Sequence, residues 1–394
     1  MKHKQVGTNS KSIREYNCIQ VLKEITIKRE CSRMELATRL GLSKMTISNI
    51  VTHLIELGYI YERPYEKKQS ASVGPKATAL ALVEKKLLGL GIHITDQKII
   101  GQIIDISTGM IDEYLINLHG ADTGNKLLFY LKKVIEYFLD RWKDYAENIL
   151  VIGIMYDGRV DEEQGRLAYV TIPGEKEEVN VRSVLEKRYG IPIYIGSYVC
   201  CEMLAELRFG LRLAKTSCIY INISKEIRGA ILSNHIVQQG RSGKVCEMGH
   251  MSIRYDGPLC ECGNRGCYRL YGSTEVLLRQ SQCHSLEELL LKLEQREPKS
   301  LRVMDDFMQV TTVALTNIIN LYHPDYIILG GDITRFDASI VRQIEHLVNE
   351  RSQCRGHFYT KVLTGKLSGQ QLSMGAALIG LYEIYHQNTF TREL

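Results

Sequence analysis

Apolar residues near the start of the chain recur at helical spacing in three short runs. In "SIREYNCIQVLKEITIKRE", Ile13, Cys18, Val21, Leu22 and Ile25 fall on one face, so the segment predicts an amphipathic helix. "CSRMELATRLG" opens with Ser32 as an N-cap, places Glu35 three residues on to complete a capping box, and stops at Gly41. "LSKMTISNIVTHLIELG" repeats the arrangement: Ser43 caps, Ile47, Ile50, Val51, Leu54 and Leu57 share a face, and Gly58 ends it. Two short helices joined by "GLS" form a helix-turn-helix pattern. The stretch that follows, "YIYERPYEKKQSASVGPKATALALV", alternates apolar and polar residues on both sides of a charged turn, which predicts a β-hairpin or wing.

From about Lys86 the apolar runs become longer and strand-like. "LLGLGIHITDQKIIGQIIDISTGMIDEYLI" reads as strand, turn and strand, and "NKLLFYLKKVIEYFLDRWKDY" as a long amphipathic helix. "ILVIGIMYDG", "IPIYIGSY", "SCIYINIS", "RGAILSN" and "DYIILGGD" are further strands, interleaved with helices at "CEMLAELRFGL" and "VMDDFMQVTTVALTNIINLYH". Such alternation predicts an α/β body. "REPKS", around Pro298, reads as an exposed turn.

Composition refines this picture in three places. At 394 residues and 44% hydrophobic, the chain is long enough for two or three domains with buried cores. The net charge is +5, yet residues 1–75 alone carry 13 Lys and Arg against 7 Glu and no Asp, so the basic character belongs to the N-terminus. A basic helix-turn-helix is suited to the phosphates of double-stranded DNA. Its second helix opens with Ser43, Lys44, Thr46, Ser48 and Asn49, short donors and one cation fit for base edges and phosphates, while Arg33, Arg39 and the wing lysines Lys67 and Lys68 add backbone contacts. The alternative is a basic packing unit that binds a protein. No apolar run approaches a membrane span and the first residues lack a secretion signal, so the expected location is the cytoplasm.

Eleven cysteines is an odd number, and Cys200, Cys201 and Cys218 lie in apolar surroundings that suit buried thiols better than disulfides. A different pattern appears in "EMGHMSIRYDGPLCECGNRGC". His250, Cys260, Cys262 and Cys267 form a three-cysteine, one-histidine set, and Gly263 and Gly266 permit the tight loop that converges thiolates on one ion. Four protein ligands fill a zinc tetrahedron and leave no position for water, which makes the expected site structural. The competing reading is a group of free or redox-active thiols.

These residues resemble the ROK family, named for repressors, open reading frames and kinases. "EMGHM" followed by "CECGNRGC" is similar to its zinc signature, "LYHPDYIILGGD" to its glycine-pair strand, and "SMGAALIGLY" to its C-terminal helix. The resemblance implies a winged helix-turn-helix over residues 1–80 followed by a two-lobed actin-like, ribonuclease-H-like sugar-kinase fold. The first lobe would be 81–205, completed by a helix within 371–394, and the second 206–370 with the zinc site.

The same resemblance shows what a kinase would lack here. The first phosphate loop is "HITDQK", with His93 in place of its aspartate and Thr95 and Asp96 in place of two glycines. The second is "SKEIRGA", which keeps Gly229 but has Lys225, Glu226 and Arg228 where nucleotide would lie. Ser197 and Tyr198 replace the asparagine and the aspartate base, and a tyrosine accepts protons poorly at neutral pH. The implied sugar site keeps Glu247 and His250, loses two carboxylates, and has Arg269 at its last position. The expectation is a repressor of carbohydrate-metabolism genes without kinase activity, working as a homodimer or homotetramer on an operator; the alternatives are a sugar kinase with a DNA-binding head and a regulator controlled by a protein partner. The repressor's effector would be a sugar, or an acidic or phosphorylated sugar held by Glu247, His250, Arg269 and Ser197; alternatively, Arg269 pairs internally with Glu247.

Overall fold

A computed structural model describes residues 10–64, 78–118, 124–172, 175–213, 217–234, 236–238, 247–353 and 355–387. It divides into two compact units, Met1–Gly196 with Ser373–Leu394, and Ser197–Leu372.

The first unit begins with three helices, α1 (Ser10–Lys28), α2 (Arg33–Leu40) and α3 (Lys44–Glu56), and two antiparallel strands, β1 (Ile60–Pro64) and β2 (Thr78–Leu82). The caps form as expected. Ser32 accepts from the Glu35 N–H while the Glu35 carboxylate accepts from the Ser32 N–H, a reciprocal arrangement worth about 1 kcal/mol. Gly41 ends α2 with φ +65°, and Ser43 caps α3 through the Thr46 N–H. Cys18, Val21, Leu22 and Ile25 are buried with Leu36, Ile47, Ile50, Val51 and Leu54. Ile13 departs from expectation: it is exposed, one turn before the helix meets this core. Strand β2 runs to Leu82, its register with β1 pairing Leu82 with Ile60. Lys67 and Lys68 lie outside the described residues.

The body of this unit is a sheet of β3 (Leu88–Ile94), β4 (Lys98–Asp105), β5 (Gly109–Asn117), β6 (Ile149–Tyr156) and, after a small meander, β10. Where strand, turn and strand were expected there are three antiparallel strands, β3 to β5. Helix α4 (Gly124–Arg141) covers one face with Leu127, Leu131, Val134, Ile135 and Phe138. The meander of β7 (Arg159–Asp161), β8 (Arg166–Ile172) and β9 (Glu175–Asn180), then α5 (Val181–Tyr189), precedes β10 (Ile193–Ser197).

In the second unit α6 (Tyr198–Ala205) leads to β11 (Cys218–Ile223), β12 (Ile227–Ser233) and β13 (Ile236–Val237). Then come α7 (Arg269–Gly272), α8 (Thr274–Ser281), α9 (Leu286–Glu294), α10 (Pro298–Tyr322), β14 (Tyr326–Gly330), α11 (Ala338–Arg351) and β15 (Lys361–Thr364). Pro298 is the first residue of α10, not part of a turn; Glu297 caps that helix by accepting the Ser300 N–H at 2.7 Å. The core is Ile219, Ile221 and Ile223 of β11 against Phe307, Leu315 and Ile318 of α10. The chain then re-enters the first unit as α12 (Gly375–Gln387).

The two five-stranded sheets share one plan. Their orders, β5-β4-β3-β6-β10 and β13-β12-β11-β14-β15, both put an antiparallel triplet beside strands that follow a helical crossover. Alternation along β3 places Gly89, Gly91 and His93 on one face, and α12 lies on that face. A Cβ on Gly91 would stand 2.7 Å from the Ala377 nitrogen, and one on Gly153 of β6 would overlap the Ala376 carbonyl. Glycine is required so that helix and sheet backbones can touch. Among the described residues no helix is long and apolar enough to cross a membrane.

Candidate functional site

The stretch from Glu247 to Tyr268 is a folded loop in the second unit. After the turn Met248–His250, Cys260 donates its N–H to the Asn264 carbonyl (2.8 Å), Gly263 to Cys260 (2.9 Å) and Gly266 to Pro258 (2.9 Å). Gly263 and Gly266 have φ of +89° and +63°, and a Cβ on Gly266 would collide with the Arg254 carbonyl. The two glycines turn the chain so that distant ligands meet.

One ligand atom from each of His250, Cys260, Cys262 and Cys267 lies within 4.8 Å of the others. The Cys260 sulfur is 3.5 Å from His250 Nδ1, and the Cys262 and Cys267 sulfurs are 3.6 Å apart. A tetrahedral ion with bonds of ~2.3 Å to sulfur and ~2.0 Å to nitrogen has edges of about 3.5–3.8 Å, which these separations match. Burial, then the adjoining cysteine sulfurs, pushes the Cys267 thiol up to about 12. Such crowded sulfurs resist ionising together, and a divalent cation supplies the charge that offsets their repulsion. The donor set fits a metal ion. Cys200, Cys201 and Cys218 are buried and in no disulfide, as their surroundings implied, and so are Cys18 and Cys31.

Arg269, at the start of α7, is ion-paired with Glu261 of the cysteine loop and not with Glu247. Arg228 of β12, which sequence reasoning treated only as bulk, keeps its proton more firmly than usual: burial opposes its charge, but Glu226, Tyr198 and Glu247 together outweigh burial. Its Nε and Nη2 donate to one Glu226 oxygen at 2.9 and 2.7 Å, and its guanidinium lies 5.7 Å from the centre of the Tyr198 ring. The two-residue spacing from Glu226 was a signal for the pair; the approach to Tyr198 had none. Ser197 closes β10 at the N-cap of α6, beside Tyr198.

Behind them runs a buried polar chain. Tyr220 and Asn222, neighbours on one face of β11, donate to Glu202 of α6 at 3.0 and 2.9 Å. Ser224 donates to the Asn222 side-chain oxygen (2.9 Å) and accepts the Asp332 N–H (3.1 Å), and Thr274 donates to the Asp332 carboxylate (2.9 Å). The chain threads the glycine pair: a Cβ on Gly330 would collide with the Tyr220 hydroxyl, and one on Gly331 with Ser224.

His93 in the first unit is equally occupied. Its Nε2 is 2.7 Å from an Asp157 oxygen and its Nδ1 is 2.9 Å from the Ser373 hydroxyl, just before α12. The Asp157 carboxylate can only accept, so Nε2 carries the hydrogen of that contact. Neither partner was legible, for they are 64 and 280 residues away.

At the N-terminal helices, Ser43, Lys44 and Asn49 are exposed and Thr46 and Ser48 half-buried at the start of α3. The Ser43 and Thr46 hydroxyls are 2.8 Å apart, and Met45 between them is 76% exposed. Arg33 is paired with Glu62 at 2.9 Å and Arg39 with Glu24 at 2.6 Å, so each cation already has a carboxylate partner.

Comparison with known proteins defines the class. The sequence profile of the ROK family matches residues 90–383, and the chain belongs to that family. It is 27% identical to the xylose repressor of Bacillus subtilis (strain 168) across 86% of this chain and 88% of that one. It is 25% identical to the xylose repressor of Caldicellulosiruptor bescii across 93% and 96%. In fold it is similar to a ROK family transcriptional regulator described as a homolog of the Escherichia coli MLC protein (TM-score 0.76, 24% identity, 97% and 98% coverage). A Thermus thermophilus ROK hexokinase aligns over its whole length with 76% of this chain (TM-score 0.66, 20% identity). The body therefore has the ROK-type, actin-like sugar-kinase fold, and the first 89 residues lie outside the family's profile.

Proposed function

We propose that this chain is a cytoplasmic, DNA-binding transcriptional repressor of carbohydrate genes, controlled by a carbohydrate effector and without kinase activity. The observation that carries the reading is the capped helix α3, which buries Ile47, Ile50, Val51 and Leu54 and leaves the turn from Ser43 to Asn49 available at its start. That is what a recognition helix in a winged helix-turn-helix needs: a fixed inner face and a polar leading turn for the major groove. The repressor names of relatives matched over most of their length support the same reading.

In this reading residues 1–80 are the DNA-binding domain, the two lobes follow, and Ser43, Lys44, Thr46, Ser48 and Asn49 meet DNA. Arg33 adds a phosphate contact by exchanging Glu62 for it, and Lys67 and Lys68, outside the described residues, are assigned to phosphate from the sequence alone. Paired half-sites call for a homodimer or homotetramer. His250, Cys260, Cys262 and Cys267 would hold a structural zinc ion, which supplies charge neutralisation and fixes the loop. With His250 Nδ1 turned to the thiols, Nε2 is left for an effector beside Glu247 and Ser197. Kinase chemistry is disfavoured because Tyr198 stands for the base and side chains of His93, Glu226 and Arg228 occupy the phosphate loops.

The test is a gel-shift titration of zinc-loaded protein on DNA flanking its own gene, with sugars added, beside an ATP-turnover assay. Sequence-specific binding released by a carbohydrate, with no turnover, is expected. Lys44→Ala should weaken binding and lower the salt slope by about 1. Sugar-dependent ATP hydrolysis would overturn the non-kinase reading, and failure to bind DNA would overturn the repressor.

A further inference from the structure

We infer that Arg228 is the specificity-determining residue of the effector site, and that it selects a sugar carrying an anionic group, phosphate or carboxylate. This rests on the effector-controlled reading above and moves its positive charge from Arg269, whose pair with Glu261 belongs to the cysteine loop, to Arg228, whose strand is packed on the turn that carries Glu247 and His250.

Backbone packing fixes where Arg228 stands. A Cβ on its neighbour Gly229 would collide with the Met248 sulfur, and one on Gly249 with the Ile227 carbonyl. The strand carrying Arg228 and the turn carrying Glu247 and His250 are thus pressed together, with glycine at both contacts. On its other side the guanidinium lies over Tyr198, 5.7 Å from the ring centre. Stacking of this kind holds the planar fork in one orientation and leaves its edge for hydrogen bonding.

Glu226 engages two of the five N–H groups of that fork, which leaves three to offer. Glu226 is also the more exposed partner, with its side chain 49% accessible against 31% for Arg228. An exposed carboxylate on a half-buried guanidinium is an internal stand-in for a ligand anion. It neutralises Arg228 when the site is empty and swings into water when a phosphate or carboxylate takes the fork. A neutral sugar has no group that competes with it.

The proposal makes opposite predictions for the two members of the pair. Binding to full-length, zinc-loaded protein would be measured calorimetrically with glucose, N-acetylglucosamine and xylose, with glucose 6-phosphate and N-acetylglucosamine 6-phosphate, with glucuronate, and with inorganic phosphate. Anionic sugars should bind at least about 10-fold more tightly than their neutral parents, from the charge-assisted hydrogen bonds of the fork. Arg228→Gln should abolish that preference, Glu226→Gln should strengthen anion binding, and Arg269→Gln should leave the preference intact. The phosphate and glucuronate arms separate the two anions. Arg228→Lys, with its charge kept, guards against loss of folding and should retain part of the preference.

Neutral sugars binding as well as anionic ones, and equally to wild type and Arg228→Gln, would overturn the inference while leaving a carbohydrate-controlled repressor intact. Operator binding that no carbohydrate of either kind disturbs would defeat the effector-controlled reading itself.

Discussion

The hydroxyls of Thr26 in α1 and Tyr385 in α12 lie 3.3 Å apart although 359 residues separate them in sequence. The first helix of the basic N-terminal segment is thereby tied to the last helix of the sheet body. Both residues are buried, so the contact forms away from water. Tyr385→Phe should lower stability by about 1 kcal/mol, the net worth of one buried hydrogen bond. A double-mutant cycle with Thr26→Val in urea should then give a non-additive loss; strict additivity would mean that the hydroxyls do not interact.

The other end of α12 is seated by glycines. Gly153→Ala pushes a methyl into the Ala376 carbonyl, so that backbone of β6 or of α12 must shift to admit it. We expect a loss of about 3 kcal/mol or more, read from chemical denaturation or from poor soluble yield. Gly190, at the end of α5, provides the control. Its φ is +67° with open space around it, so Gly190→Ala should cost only about 1 kcal/mol of backbone strain.

Metal analysis of purified protein should give one zinc per chain, lost in Cys260→Ser and Cys267→Ser. Chelation should lower the melting temperature and open the loop from Met251 to Cys267 to proteolysis, because a bound ion would hold ligands from both of its ends. Unchanged melting in chelator, with no zinc in the untreated protein, would return the cysteines to the class of free thiols.

Glu206 supplies a pH signature. Its side chain is 1% exposed; one oxygen accepts the Leu367 N–H at 2.7 Å and the other has no hydrogen-bond partner among the described residues. Burial raises its pKa above the ordinary carboxylate value, against the opposing pull of the Lys366 and Leu367 N–H groups. A folded-state pKa above the unfolded one means that the protonated form is favoured by folding. Its stabilisation is full below the unfolded pKa and is lost as pH rises through the folded one. Glu206→Gln, which keeps an acceptor for Leu367, should therefore be more stable than wild type at neutral pH and lose that advantage in acid. Melting curves from pH 4 to 8 (roughly the window over which a raised carboxylate titrates) would read this; parallel curves would show that Glu206 folds as an ordinary carboxylate.

Local signals were legible in the sequence and long-range ones were not. The Ser32 capping box, the Ser43 cap and the four metal-ligand candidates are each set within about two dozen residues, where spacing alone encodes geometry. Pro298 was misread because proline both breaks helices and opens them, and only the Glu297 cap decides between the two. The β7 to β9 meander escaped notice because β7 has three residues and β9 reads "EKEEVN", without apolar alternation. The shared plan of the two sheets is a matter of pairing between distant strands, and the unlike sequences "LGLGIHI" and "CIYINI" fill the same central place in each. At the site, the change at position 228 and its spacing from Glu226 were visible, but the ring it lies over was not.

The collision that a side chain on Gly330 would make with the Tyr220 hydroxyl has a meaning for how such sequences are classified. Tyr220 is held by Glu202, so it cannot yield, and glycine is demanded at position 330 by the protein's own interior whether or not a nucleotide ever visits. The glycine pair therefore carries no vote of its own for or against ATP use: its first member answers to a tyrosine. In this chain the tyrosine at position 220 is by itself a sufficient reason for the first glycine of the pair.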